Sequence, residues 1–420
     1  MTPNKGRRTN DLYQRRLQEK EIRLIKIEPS DDDEAKPICC SPIIKDRDDN
    51  SVKYKALSYV WGDQKDTIII LCDGIQLKVT RNLHEAMLHL RTSYANSYFW
   101  IDAICINQSD DEERSAQVRR MKEIYSLADL VIMWLGTELP GDRPGLDLMR
   151  HVNNVLGTPL VGEEMGLAHL DLDKAGLPAR KDEAWGNVVR IMSRPWFSRV
   201  WIVQEFLSAR KSVFHDGELE IAPEEVLAFA GNSRKYPLLE KILIDHDAVM
   251  AHQQKEFYRN ILAIWSLQLE YLDSGALTML DLLWLTQRSD ATDSRDKVFA
   301  LVGLADDFSN SIIDYKKSHR EVLVEIATAM LNDDIHRGTA GTTQALDVLT
   351  WVSTRSSETS LPSWVPDWQY HGYSHTVITS DYVDADNLGK ASFSVNAGDV
   401  RSASCPSRLG YTDKVTLLRA

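Results

Sequence analysis

The sequence predicts an α/β protein: a parallel sheet with flanking helices and β-hairpin insertions, followed by a mainly helical carboxyl-terminal region. Three observations predict it. Residues 99–108 form a short apolar run that ends in a polar cluster, with a helix start directly after it, which is how a buried strand delivers side chains to a site. Residues 130–136 form a second, continuous apolar run closed by Gly136, as expected of a strand covered on both faces. Between the two, Val118, Met121, Tyr125 and Ala128 recur at helical spacing, so strand, helix and strand imply a right-handed parallel crossover.

The remaining elements follow from local chemistry. Residues 1–20 are polar, carry Arg7, Arg8, Arg15 and Arg16, and read as a mobile arm. Residues 22–27 alternate as a strand stopped by Pro29, and Asp31, Asp32, Asp33 and Glu34 make an acidic loop. Residues 54–63 read as a strand whose carboxyl end carries hydroxyls, an indole and a carboxylate. Asp73-Gly74 between two β-rich runs is a hairpin signal, because both turn positions need positive φ. Asn82 is expected to cap a helix whose apolar stripe is Leu83, Ala86, Met87 and Leu90. Ser109-Asp110-Asp111-Glu112 fits a capping box for the next helix, which leaves Arg114, Arg119, Arg120 and Lys122 largely to solvent.

After Gly136 the pattern loosens at Pro140, Gly141, Pro144 and Gly145, so residues 137–182 read as an insertion. Trp185, Val188, Val189 and Met192 resume helical spacing, and His215-Asp216-Gly217-Glu218 marks another hairpin. Pro223 opens a helix where its missing N–H costs least. The expected division is a domain over 21–222 with its core at 54–205, a mainly helical region over 223–379, and a weakly structured tail over 380–420. Ser318 to Glu321 is a second capping box, and Trp364 and Trp368 are expected to pin a proline-interrupted segment.

Composition narrows the function classes. A net charge of −13 argues against nucleic acid as the main partner. No apolar run approaches the roughly 20 residues of a membrane span, and no secretory signal is visible, so the expected location is cytoplasmic. Cys39, Cys40, Cys72, Cys105 and Cys405 are irregularly spaced, which suits reduced thiols better than a disulfide framework or zinc site. His371 and His375 lie in a Gly- and Ser-containing segment, so no metal site is assigned.

Several motifs carry a resemblance. Ala56-Leu57-Ser58-Tyr59-Val60-Trp61-Gly62, Trp100-Ile101-Asp102-Ala103-Ile104-Cys105-Ile106-Asn107-Gln108, the stretch 117–136, and Arg194-Pro195-Trp196 with Arg199-Val200-Trp201-Ile202-Val203-Gln204-Glu205 resemble a fungal heterokaryon-incompatibility (HET) domain. Residues 295–304 and 364–368 are also similar to segments common in such proteins. The resemblance implies non-self recognition between fungal individuals that ends in programmed cell death, with protein partners or self-association. A remote similarity to Toll/interleukin-1 receptor (TIR) domains implies a flavodoxin-like sheet. It further implies cleavage of NAD as a substrate, no cofactor being required, with Glu205 catalytic at the Trp201-to-Glu205 spacing.

On that reading Glu205 orients the ribose hydroxyls and stabilises an oxocarbenium-like state, while Ser58, Tyr59, Trp61, Asp102, Asn107 and Trp201 line the site. Each has a packing alternative. Glu205 reads equally as an ion-pair partner of Arg194 or Arg199, and Asp102, Asn107 and Gln108 read as loop caps. Trp61, Trp100, Trp134 and Trp201 read as core or pocket wall, and Cys105 as a buried thiol without a base. No Walker loop or G-x-G-x-x-G is present, so a pyrophosphate would rest on backbone N–H groups such as those opening the Ser109 helix. The other function carried by the sequence is a non-catalytic signalling scaffold.

Overall fold

The strands β1 (Glu21–Ile27), β2 (Cys39–Asp46), β3 (Tyr54–Tyr59), β4 (Thr67–Cys72), β5 (Ile75–Thr80), β6 (Tyr98–Trp100), β7 (Leu130–Gly136), β8 (Ser212–Asp216) and β9 (Leu219–Ile221) form one sheet. Their order is β5-β4-β2-β1-β6-β3-β7-β8-β9. This computed structural model describes residues 12–29, 37–46, 49, 51–157, 168–250, 257–337, 361–362 and 364–368. The acidic loop at 31–34, Arg7 and Arg8, residues 158–167 of the insertion, His371, His375, and the tail with Cys405 lie outside the described residues.

The parallel heart of the sheet is β6-β3-β7-β8. Ala56, Leu57, Ser58 and Tyr59 of β3 are all buried, as expected of an interior strand paired on both edges, by β6 and β7. Antiparallel pairs extend the sheet on either side, so it is mixed overall. Both hairpins form where expected: Asp73 and Gly74 have φ of 49° and 75°, and Gly217 turns β8 into β9 at φ 56°.

The helices of this unit are α1 (Arg81–Ser93), α2 (Asp102–Cys105), α3 (Asp111–Val118), α4 (Met121–Leu127), α5 (Asp142–Leu156), α6 (Ala184–Met192), α7 (Trp201–Leu207), α8 (Pro223–Lys235), α9 (Pro237–Met250), α10 (Phe257–Ser274) and α11 (Met279–Leu285). Several depart from expectation for nonlocal reasons. Asn82 is not a cap; it sits inside α1, donates to the Val60 carbonyl at 2.6 Å and accepts from the Trp134 indole at 3.1 Å. The run after Trp100 turns helical at Asp102 instead of staying extended, with the Ile101 carbonyl accepting from Ile104 and Cys105. The following helix starts one residue late, with the Asp110 carboxylate accepting from the Glu112 and Glu113 N–H groups. It is also broken at Arg119 and Arg120, where the Arg120 guanidinium reaches the carbonyls of Glu19 and Glu21 instead of facing solvent.

The described part of the amino-terminal arm is docked. Arg16 pairs with Asp110 and Glu112, the Tyr13 hydroxyl donates to the Ile104 carbonyl at 3.1 Å, and Leu17 is buried. The expected insertion contains a 15-residue helix, α5. Pro144 falls in its first turn, where no N–H is needed, and Gly145 admits the backbone of α6. A Cβ on Gly145 would stand 2.6 Å from the Asn187 carbonyl oxygen. Gly145→Ala is therefore expected to destabilise: the gain in helix propensity is about 1 kcal/mol, whereas overpacking against an immovable backbone costs about 1–3 kcal/mol. A urea titration showing Gly145→Ala at or above wild-type stability would refute that close approach.

The described residues fall into two compact units, one up to Ala291 together with Ala300–Tyr315, the other Thr292–Phe299 with the described residues from Lys316 on. Helices run from residue 223, and α8 to α11 belong to the first unit, with α8 packing on α5 and β8. In the second unit, Ser318 caps the helix His319–Arg337 with Glu321 as predicted, and Val365, Asp367 and Trp368 are buried.

Candidate functional site

The carboxyl end of β3 gathers most of the predicted residues. Ser58 Oγ donates to Glu205 Oε2 and accepts the Trp196 indole N–H at 2.8 Å. The Tyr125 hydroxyl lies within reach of both the Leu57 carbonyl, at 3.2 Å, and the Glu205 carboxyl. Beside this, the Trp61 indole donates to Asp102 Oδ2 at 2.8 Å, and the Tyr59 hydroxyl also bonds the Asp102 carboxyl. Arg199 spans the two halves, donating to the Tyr59 carbonyl while its charge acts on both Glu205 and Asp102. Its backbone is pinned by Val200 N–H to the Asp290 carbonyl at 2.9 Å and Asp290 N–H to the Ser198 carbonyl at 2.5 Å.

Glu205 is 3% exposed, Ser58 1% and Trp196 fully covered, so the pair is sealed inside the sheet edge. Burial pushes the Glu205 carboxyl up to about 7, against the opposing pull of Arg199 and the Ser58 hydrogen bond. Burial also raises Asp102. For Glu205 the folded state favours the protonated acid, so its contribution is complete below the ordinary value of 4.5 and is lost as pH rises toward about 7. Glu205→Gln is expected to flatten this part of the stability profile, measured as urea midpoints across that range. An unchanged slope would mean that Glu205 does not titrate there.

Two predicted residues lie apart from this pair. Asn107 is in the turn between α2 and α3, where its side chain accepts from Ser109 N–H at 3.2 Å and its own N–H donates to Glu113 at 2.9 Å. It lines an open groove of about 400 Å³ with Tyr13, Ile69, Lys78 and Gln108. Trp201 is buried in the first turn of α7, one helical turn before Glu205. Arg194, one of the two expected partners of Glu205, instead pairs with Asp142 and Asp216. Trp196 and Tyr125 were not among the candidates; a Pro followed by an indole marks Trp196 only as a helix start. Cys105 is wholly buried, its thiol pushed up to about 12 by that burial, as befits an inert packing residue. Among the described residues no cluster of His, Cys, Asp and Glu could hold a metal, and no helix is long and apolar enough to cross a membrane.

The segment from the start of β3 to Glu205 is also the segment with a known relative. The family described as Heterokaryon incompatibility protein (HET) matches residues 54–205. The match begins with β3 and ends on the sealed carboxyl of Glu205. The chain is also similar to Heterokaryon incompatibility protein 6, OR allele, of Neurospora crassa, at 29% identity over 382 residues. That similarity covers 75% of this chain and 53% of the relative, so the chain spans about half the length of the protein it matches. No solved structure matches.

Proposed function

We propose that this chain is a HET-domain module of fungal non-self recognition that triggers programmed cell death, and that it signals by self-association or by binding a protein partner. The family match over 54–205 and the incompatibility relative support the recognition role. The mode of signalling rests on one observation: Glu205 is 3% exposed, beneath Ser58 and Trp196, where a substrate has no access. On this reading Ser58, Trp196, Tyr125, Arg199 and Glu205 tie α7 to the ends of β3, and the surface of the domain carries the signal. Sedimentation of the full chain should show concentration-dependent assembly, alone or with a partner recovered from fungal extract. A strictly monomeric protein that still kills the cell would overturn it.

A second reading, TIR-like NAD cleavage, is favoured by a different observation. Ser58, Asp102 and Glu205 converge at the carboxyl end of parallel strands, where α/β sheets bind ligands, and the Glu205 carboxyl sits near neutrality. Catalysis there would require the seal over Glu205 to open, so that a ribose could reach the carboxylate and its developing positive charge be stabilised.

A further inference from the structure

In a second buried cluster, outside the one around Glu205, three acceptors crowd one guanidinium nitrogen while the Arg194 Nε–H is left without a partner. Arg194 Nη2 faces Asp142 Oδ2 at 2.5 Å, the Thr137 carbonyl at 3.0 Å, and Asp216 Oδ1. An Nη nitrogen carries two hydrogens and cannot satisfy three acceptors. Asp142 and Asp216 are both wholly buried, and each keeps one oxygen, Asp142 Oδ1 and Asp216 Oδ2, with no hydrogen-bond partner. Two carboxylates against one guanidinium would also leave a net negative charge in the interior, which is costly.

We propose that Asp216 holds a proton at neutral pH in its site against Arg194 and Asp142, and that this proton locks the start of α5 onto the carboxyl end of β8. It supplies a hydrogen where Arg194 does not reach, at the unpartnered carboxyl oxygens, and removes the uncompensated charge. The proton belongs on Asp216, because Asp142 also accepts the Leu139 N–H at 2.6 Å whereas Asp216 has Arg194 as its hydrogen-bond donor. Burial and the neighbouring Asp142 carboxylate push Asp216 up to about 7, in keeping with two acids in one site. The other charged groups around the cluster are engaged elsewhere. Arg143 of α5 pairs with Glu138 at 3.5 Å, Arg190 of α6 donates to the Pro140 carbonyl, and His215 and Glu218 of the hairpin face Tyr94 and His89.

Since the folded-state acid is raised above its ordinary 3.8, the lock is complete at low pH and is lost as pH rises through about 7. Deprotonation sends the proton to solvent and leaves two carboxylates on one guanidinium, so the α5 start and the 137–141 loop loosen.

The test is hydrogen exchange of the full-length protein, corrected for intrinsic rates, below and above about pH 7. Wild-type amides in the first turns of α5 should lose protection above it. Asp216→Asn, whose amide supplies a permanent hydrogen, should be protected alike at both values. Glu205→Gln should retain the wild-type behaviour, which separates this lock from the titration of Glu205. Should Asp216→Asn fail to fold, infrared titration of the wild type gives the same answer: a protonated-carboxyl stretch at neutral pH that disappears through that range, from which Glu205→Gln subtracts only its own part. A pH dependence that survives in Asp216→Asn, one abolished by Glu205→Gln, or no protonated-acid band beyond that of Glu205, would overturn the proposal.

Discussion

Arg194→Ala is expected to cost about 3–5 kcal/mol of stability, the range for removing one member of a buried ion pair and stranding its partners. Two fully buried carboxyls, Asp142 and Asp216, and the Thr137 carbonyl all accept from this one guanidinium, and of the two acids only Asp142 has a further donor, the Leu139 N–H. The loss would be felt where α5 meets the sheet, since Asp142 opens that helix and Asp216 ends β8. Arg194→Lys should recover part of the loss, because all three acceptors face the single nitrogen Nη2 and an ammonium presents three hydrogens from one nitrogen. Urea unfolding of the two variants decides it. A shift below about 1 kcal/mol for Arg194→Ala would show that water already reaches the cluster.

Glu113→Ala is expected to be of similar size, at about 3–5 kcal/mol, for the mirror-image reason. Glu113 is 1% exposed and accepts from Arg23 at 3.0 Å, from Asn107 N–H at 2.9 Å and from Leu17 N–H at 3.4 Å. Removing it leaves the buried Arg23 guanidinium with the Cys105 carbonyl at 2.6 Å and the Tyr13 ring 4.7 Å away, which cannot neutralise its charge. The docked amino-terminal segment should also come free, because Leu17 loses its anchor. Limited proteolysis before β1 should therefore accelerate in Glu113→Ala. Cleavage at the wild-type rate would place the hold on that segment in the exposed Arg16 pairs instead.

Local chemistry made the sheet legible. Asp73-Gly74 and Gly217 announce their turns through conformations that few other residues adopt, and the apolar run of β7 can only be a covered strand. The convergence of Ser58, Trp61 and Asp102 was readable for a related reason, because polar residues at the ends of buried strands collect at one edge, which Glu205 reaches from α7. What failed was what depends on distant partners. Asn82 has the chemistry of a cap, yet bridges Val60 and Trp134, and nothing near it in the chain reveals either. Arg194 and Arg199 are alike in sequence; only the fold sends one to Asp142 and Asp216 and sets the other beside Tyr59. Pro144 and Gly145 look like helix breakers until α6 is seen to need the space. Burial of Glu205 was equally invisible, since its partners Ser58 and Tyr125 come from separate segments, with Trp196 bonded to Ser58 from a third.

The central claim is that Glu205 holds the sheet edge together and does no chemistry. The most direct measurement is nicotinamide release from NAD by the full-length protein, at concentrations that drive assembly, alongside Glu205→Gln. No release above buffer is expected from either protein. Sustained release by the wild type that disappears in a folded Glu205→Gln variant would contradict the claim and make the sealed carboxyl a catalytic one.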